Sequence, residues 1–248
     1  VSGMKPILCI SIMEKTQAEI VQLAEHMSKT PTDMVEWRMD FFQEKDSLEK
    51  LKECLIELRN HLYTKQLLLT MRVQGEGGHQ VWNQGKLCLY LDFLTQNTQL
   101  YDGVDIELST LKQISIEERE LFISQLKNDH KFLIGSYHQF QGMEDATAIL
   151  NRCIEIGKLP VDIVKVAYLP ESVEEVERFV EISTRVKLPE EMKKVMIAMS
   201  DLGKELRIRP EITGSAIAYC SYQQETTLGQ ISMEEYLENR ETEIRKLK

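Results

Sequence analysis

Short β-branched or apolar runs alternate along the chain with amphipathic stretches of about 12–18 residues at helical period, the pattern of parallel strands joined by helical crossovers. Eight runs read as strands: Pro6–Ile12, Met34–Met39, Leu67–Arg72, Gly103–Leu108, Phe132–His138, Asp162–Ala167, Val195–Ser200 and Ala216–Tyr222. Between them Thr16–Met27, Ser47–Leu62, Ile116–Asn128, Asp145–Ile156 and Val173–Val186 place apolar residues at three- and four-residue spacing, as helices packed on a sheet do. Eight such units in about 250 residues predict a (β/α)8 barrel of the TIM type. An open doubly wound sheet is the alternative, but it usually carries a glycine-rich turn after its first strand, where this chain has Met13-Glu14-Lys15. No linker, composition break or repeat divides the sequence, so one catalytic domain over 4–248 is expected. Val1-Ser2-Gly3 precede a Met that reads as the natural start and are expected to be an added remnant.

Composition narrows the partners. The 248 residues carry 40 acidic against 30 basic side chains, a formal charge of -10 that repels polyanions at long range, so no nucleic-acid partner is expected. A small anionic substrate stays compatible if a few arginines converge in a cleft. No apolar run reaches the roughly 18 residues that span a bilayer, and no basic-then-apolar leader opens the chain, so no membrane association and a cytoplasmic location are expected. Cys9, Cys54, Cys88, Cys153 and Cys220 are odd in number, widely spaced and mostly in apolar surroundings, which predicts free buried thiols in a reducing compartment.

Charged residues stand where a barrel strand should be apolar. Strand side chains alternate faces, so in Val35-Glu36-Trp37-Arg38-Met39-Asp40 the charges at 36, 38 and 40 share the face toward the barrel axis. Buried charge is costly unless paired or used by a ligand, so the strand read alone fits a structural ion-pair layer as well as a site. Other strands repeat the anomaly toward their C-terminal ends, where this fold builds active sites: Arg72, then Asp105 and Glu107, then His138, then Lys165. His138 alone reads better as a structural histidine; the constellation reads as a site.

Lys165 is the most informative position, because Ile163-Val164-Lys165-Val166-Ala167 should be buried on both faces and lysine is rarely buried without a task or a partner. Desolvation and neighbouring cations would favour the neutral amine, which can attack a ketone to form an imine. Pairing with an inward carboxylate is the other reading. The remaining histidines, His26, His61, His79 and His130, have no partner at metal-ligand spacing. A cation held by Glu36, Asp40, Glu107 and His138 would give Lys165 no role and set Arg38 and Arg72 against it, so no metal is expected.

At this level the chain resembles the type I 3-dehydroquinate dehydratases over nearly its whole length. Val35-Glu36-Trp37-Arg38-Met39-Asp40 resembles the family's second strand, Thr70-Met71-Arg72 with Glu76-Gly77-Gly78 its third, and Asp105-Ile106-Glu107-Leu108 its fourth. Ser136-Tyr137-His138 resembles the catalytic-histidine strand, and Lys165 stands at the interval of the imine-forming lysine. Met199-Ser200, Arg207, Gly214-Ser215-Ala216 and Gly229-Gln230-Ile231-Ser232 continue the match in order. Departures are Gln139, where an acidic residue or Asn is expected, Tyr219 in place of a more usual Phe, Leu228 for Pro in the lid loop, and Asp201 at a position often basic.

The resemblance implies a cofactor-free hydro-lyase of the shikimate route to chorismate and aromatic amino acids, with 3-dehydroquinate as substrate and a homodimer as the assembly. It implies Lys165 as the amine, His138 as proton carrier and Glu76 as the acid that orients it. Arg207 would hold the substrate carboxylate; Glu36, Arg72 and Gln230 would meet ring hydroxyls. Arg38, Met199, Tyr219 and Thr226 would complete the substrate contacts, and the polar 223–230 segment would close over the ligand. Rival readings are another imine-forming barrel such as an aldolase or transaldolase, a metal-dependent sugar isomerase or epimerase, and a barrel that binds but does not turn over.

Overall fold

The structure, a computed structural model, describes residues 5–223 and 230–247. Eight strands, β1 (Ile7–Ile12), β2 (Met34–Arg38), β3 (Gln66–Thr70), β4 (Gly103–Glu107), β5 (Phe132–His138), β6 (Ile163–Tyr168), β7 (Lys193–Ala198) and β8 (Ile217–Cys220), pair in parallel in the order 7-6-5-4-3-2-1-8. The seam between β7 and β8 is closed by Ala216 N donating to Lys194 O at 2.9 Å and by the Ser215 hydroxyl, which accepts from Met196 N at 2.8 Å. This is the expected (β/α)8 barrel, nearly closed.

Helices α1 (Gln17–Met27), α2 (Leu48–His61), α3 (Gln84–Gln96), α4 (Leu108–Leu111), α5 (Ile116–Asn128), α6 (Ala146–Gly157), α7 (Val173–Arg185), α8 (Lys204–Ile208) and α9 (Met233–Lys246) follow the strands. Their starts have a chemical cause. Thr16, Ser47, Asn83, Ser115, Asp145 and Ser172 each accept the backbone N–H three residues on, satisfying a donor that the first turn leaves open, and Ser115 with Glu118 completes a reciprocal capping box. No helix among the described residues is long and apolar enough to cross a membrane.

Two cores result. Outward strand residues such as Ile10, Trp37, Leu69 and Val166 pack beneath the helices. Inside the barrel, Cys9, Met34, Leu68, Ile134, Ile163, Val195 and Ile217 fill the N-terminal end as an apolar plug. The next inward residues toward the C-terminal end are Ser11, Glu36, Thr70, Asp105, Ser136 and Lys165, all buried. The plug thus forms a floor on which a polar layer stands. Four cysteines are buried as expected, but Cys88 is exposed, because it lies on the outer face of α3.

Strand ends differ from the sequence reading where the backbone leaves the ladder early. β2 stops at Arg38, and Met39–Phe41 form a single 3-10 turn, which removes Asp40 from the inward row. The third strand stops at Thr70 and the seventh at Ala198, so Arg72 and Met199 stand just past the ladder. Ser200 follows with φ 95°, a left-handed conformation rare outside glycine.

Candidate active site

At the C-terminal mouth lies a cavity of about 390 Å³. β2 contributes Glu36 and Arg38, the segment after β3 contributes Arg72 and Glu76, β5 ends in His138 and β6 supplies Lys165. Met199 follows β7, Arg207 sits in α8, Tyr219 is on β8 and Gln230 opens the return to α9. Ten of the eleven residues expected at the site therefore meet around one cavity; Thr226, with Leu228 and Gly229, lies outside the described residues.

Asp40 does not join them. Arg38 Nε and Nη2 grip its two carboxylate oxygens at 2.8 and 3.0 Å, and the backbone N–H groups of Arg72 and His79 donate to the same carboxylate at 3.2 Å each. Burial would push this carboxyl up, but Arg38 and the other donors prevail and hold it below its usual range. Asp40 is thus the post that fixes Arg38 and the start of the loop after β3.

Glu36 is only 4 % exposed and accepts from Ser11 Oγ on one oxygen and Thr70 Oγ1 on the other, both at 2.7 Å. Arg72 Nη1 reaches Asp105 Oδ1 at 3.0 Å, Glu107 Oε2 at 2.6 Å and Ser136 Oγ at 3.0 Å. Removing either partner would leave an uncompensated buried charge, so this network keeps the guanidinium immobile beneath the cavity. Asp105 is driven up by burial, yet the Arg72 and Lys165 cations outweigh that and hold it far below the usual carboxylate range.

Lys165 is 3 % exposed, and its Nζ lies 2.6 Å from Asp105 Oδ2 without hydrogen-bond alignment. It is therefore inward and buried, as expected, and it is paired with an inward carboxylate. Four cationic side chains, Arg38, Arg72, Lys165 and Arg207, border the cavity of a chain whose net charge is -10. Such a convergence of cationic side chains suits a small anionic ligand.

The histidine is held by its neighbour across the mouth. Glu76 Oε1 accepts from the His138 backbone N–H at 2.8 Å and lies 3.2 Å from Nδ1, while Oε2 accepts from Ser109 Oγ at 2.7 Å. With Nδ1 assigned as donor to the carboxylate, Nε2 carries the lone pair. Burial, together with the Arg72, Lys165 and Arg38 cations, moves His138 well below its usual pKa against the opposing pull of Asp105. Burial also raises Glu76, partly offset by Ser109.

Two glycines make this geometry possible. Gly77 has φ 88°, and a Cβ there would strike the Phe140 ring at 2.5 Å; a Cβ on Gly78 would lie 2.1 Å from Arg72 O. Phe140 stacks on the His138 imidazole with ring centroids 6.5 Å apart and also lines the cavity.

Sequence reasoning passed over Phe140 and Ser109, and it offered Lys165 an inward carboxylate partner without singling out Asp105. Phe140 could have been found from its place two residues past the histidine; nothing in the pattern pointed to Ser109. Arg207 donates through Nη1 to Ala198 O, which ties the guanidinium to the end of β7. Among the described residues no group of three or more His, Cys, Asp or Glu side chains is arranged to hold a metal ion.

Comparisons with known proteins bear on the family to which this sequence and fold belong. A family described as type I 3-dehydroquinase matches residues 8–242. The 3-dehydroquinate dehydratase of Alkaliphilus oremlandii is 32% identical over 237 residues, 93% of this chain and 89% of the relative, and that of Clostridioides difficile is 29% identical over 232 residues with the same shares. The crystal structure of the type I enzyme of Clostridium difficile with covalent modified comenic acid superposes with a TM-score of 0.86 at 26% identity, covering 96% of this chain and 92% of that one. The Aquifex aeolicus 3-dehydroquinate dehydratase gives 0.78 at 28% identity, covering 95% and 98%. By sequence and fold, this chain belongs to the type I 3-dehydroquinase family, a family of hydro-lyases.

Proposed function

We propose that the chain converts 3-dehydroquinate to 3-dehydroshikimate and water through an imine on Lys165, without a cofactor, as a cytoplasmic homodimer serving chorismate and aromatic amino acid synthesis. The observation that carries this reading is the convergence of Lys165 and the His138–Glu76 pair on one arginine-bordered cavity in a chain of this family. Lys165 gives up one ammonium proton, which passes to the ketone oxygen as the nitrogen attacks C3, and the resulting carbinolamine loses water to leave an iminium. His138 Nε2 then removes the C2 proton, and the electrons of the broken C–H bond enter the conjugated C=N system. The resulting enamine expels the C1 hydroxyl, which leaves as water with the proton that His138 returns, and the C1–C2 double bond forms. Water hydrolyses the iminium, releasing product and the Lys165 ammonium. Glu76 fixes the imidazole's tautomer throughout, and Arg207 anchors the carboxylate.

The direct test is a spectrophotometric assay of the purified chain with 3-dehydroquinate. Its conjugated product absorbs in the ultraviolet where the substrate does not. No absorbance change at high enzyme concentration overturns the reading.

Two further outcomes follow from the same geometry. His138 must be neutral to accept the C2 proton, and its cationic, buried setting disfavours protonation, so lowering the pH removes the base only well into acid. The acid limb of kcat/KM is expected below pH 6.5 in a rate–pH profile; a limb above that value would show that a different group controls it. Arg207→Ala is expected to raise KM by roughly 10–100-fold with a smaller change in kcat, because a charge-assisted pair to the carboxylate exists in both ground and transition states. An unchanged KM would assign the carboxylate to another cation.

A further inference from the structure

Two polar atoms in the layer that holds Lys165 are closed to solvent and lack hydrogen bonds, and they are chemically complementary. Asp105 Oδ1 serves Arg72 and Ser136, at 3.0 and 2.7 Å, whereas Oδ2 has only the ion contact to Lys165. Among the described residues Oδ2 is the one buried carboxylate oxygen without a hydrogen bond, and Tyr219 Oη is a buried hydroxyl likewise without one. Tyr219 stands beside Cys9 in the β1–β8 register, and its ring packs 4.7 Å from the Lys165 ammonium. Burial, then the Cys9 thiol and the Glu36 and Asp105 carboxylates, raise the phenol well above its usual pKa against the pull of Arg72, so its O–H is kept as a donor. Glu36 accepts on both oxygens, from Ser11 and Thr70, whereas Asp105 Oδ2 accepts no hydrogen bond.

The chemistry at Lys165 changes that need. An ammonium has three N–H donors. When it condenses with a ketone, a C–N bond forms, water carries off the carbonyl oxygen with two of those hydrogens, and the iminium nitrogen keeps one N–H. Asp105 Oδ2, which has only an ion contact to Lys165 in the free enzyme, then faces a nitrogen that has exchanged two N–H groups for a bond to carbon and can no longer turn toward it, inside a layer where an unmatched carboxylate oxygen is costly. We propose that Tyr219 is a positioning residue whose hydroxyl donates to Asp105 Oδ2 once Lys165 is bonded to substrate, holding that carboxylate as a fixed counter-ion to the iminium. The proposal rests on the imine reading above. It separates two roles of one side chain: the Tyr219 ring lines the cavity, while its hydroxyl acts on Asp105 behind it.

The test uses the full chain and Tyr219→Phe. The variant is expected to keep KM within about threefold, while kcat and the single-turnover rate of forming a borohydride-trappable adduct each fall by roughly tenfold, the worth of a hydrogen bond to a charged group. Its melting temperature is expected to equal or exceed that of the parent, because phenylalanine removes a buried hydroxyl that has no partner in the free enzyme. A crystal structure of the borohydride-reduced parent adduct, whose Nζ also carries carbon, is expected to show Oη within about 3.0 Å of Oδ2. Adduct formation and turnover at the parent's rate overturn the proposal, as does an adduct structure with Oη away from Oδ2. A lowered melting temperature with loss of substrate binding would make Tyr219 merely structural and also overturn it. A parent enzyme that turns over yet yields no adduct on Lys165 would overturn the imine reading, and this inference with it.

Discussion

Lys165→Ala is expected to abolish the covalent adduct and to lower kcat by at least on the order of 10⁴-fold, because among the described residues no other side chain lining the cavity carries an amine. Arg38, Arg72 and Arg207, the other cations at the mouth, stay protonated at any working pH and cannot attack a ketone. The substitution also deletes the ion contact to Asp105, and breaking a buried pair costs about 3–5 kcal/mol when one partner is lost. Asp105 keeps Arg72 and Ser136 on Oδ1, so the barrel is expected to fold with a lowered melting temperature. Activity measured well below that melting point, with circular dichroism as control, separates lost chemistry from lost fold. Retention of more than about a hundredth of parental turnover would remove Lys165 from the centre of the mechanism.

His138→Ala is expected to divide the reaction at a different place. General acid–base groups contribute typically 10²–10⁴-fold, so turnover should fall by at least that factor, while substrate still binds and some imine still forms on Lys165. Glu76 would lose its contact with Nδ1 but keep Ser109 and the backbone N–H of residue 138, so the loop carrying Gly77 and Gly78 should hold its place. Intact mass after incubation with 3-dehydroquinate and borohydride reads the result. Near-normal dehydration would return the histidine to a structural role. Complete loss of the adduct would assign it a part in condensation or hydrolysis as well.

Much of this arrangement was legible from side-chain alternation. In β2 the period of two placed Glu36 and Arg38 inward, and the apolar surroundings of Lys165 in β6 marked a lysine with a task. Alternation failed at Asp40, because it assumes that the strand continues, whereas the chain turns after Arg38 and the carboxylate pairs with the residue two positions before it. It also could not tell which inward carboxylate meets Lys165. That depends on the stagger of strands around the barrel, which brings Asp105 on β4 to Lys165 on β6 across the interior. The Glu76-Gly77-Gly78 segment is matched by resemblance, and its physical cause lies in the tertiary fold: Phe140 and the Arg72 backbone occupy the space two Cβ atoms would need. Ser215 was likewise matched without a role, which proves to be closing the seam between β7 and β8.

The most direct measurement of the central claim is borohydride reduction of the enzyme while it turns over 3-dehydroquinate, followed by intact mass and peptide mapping. One ligand mass per chain is expected, mapped to the peptide containing Lys165 and to none of the other lysines. An unmodified Lys165 in enzyme that is demonstrably turning over, or an adduct on a different lysine, would contradict the account.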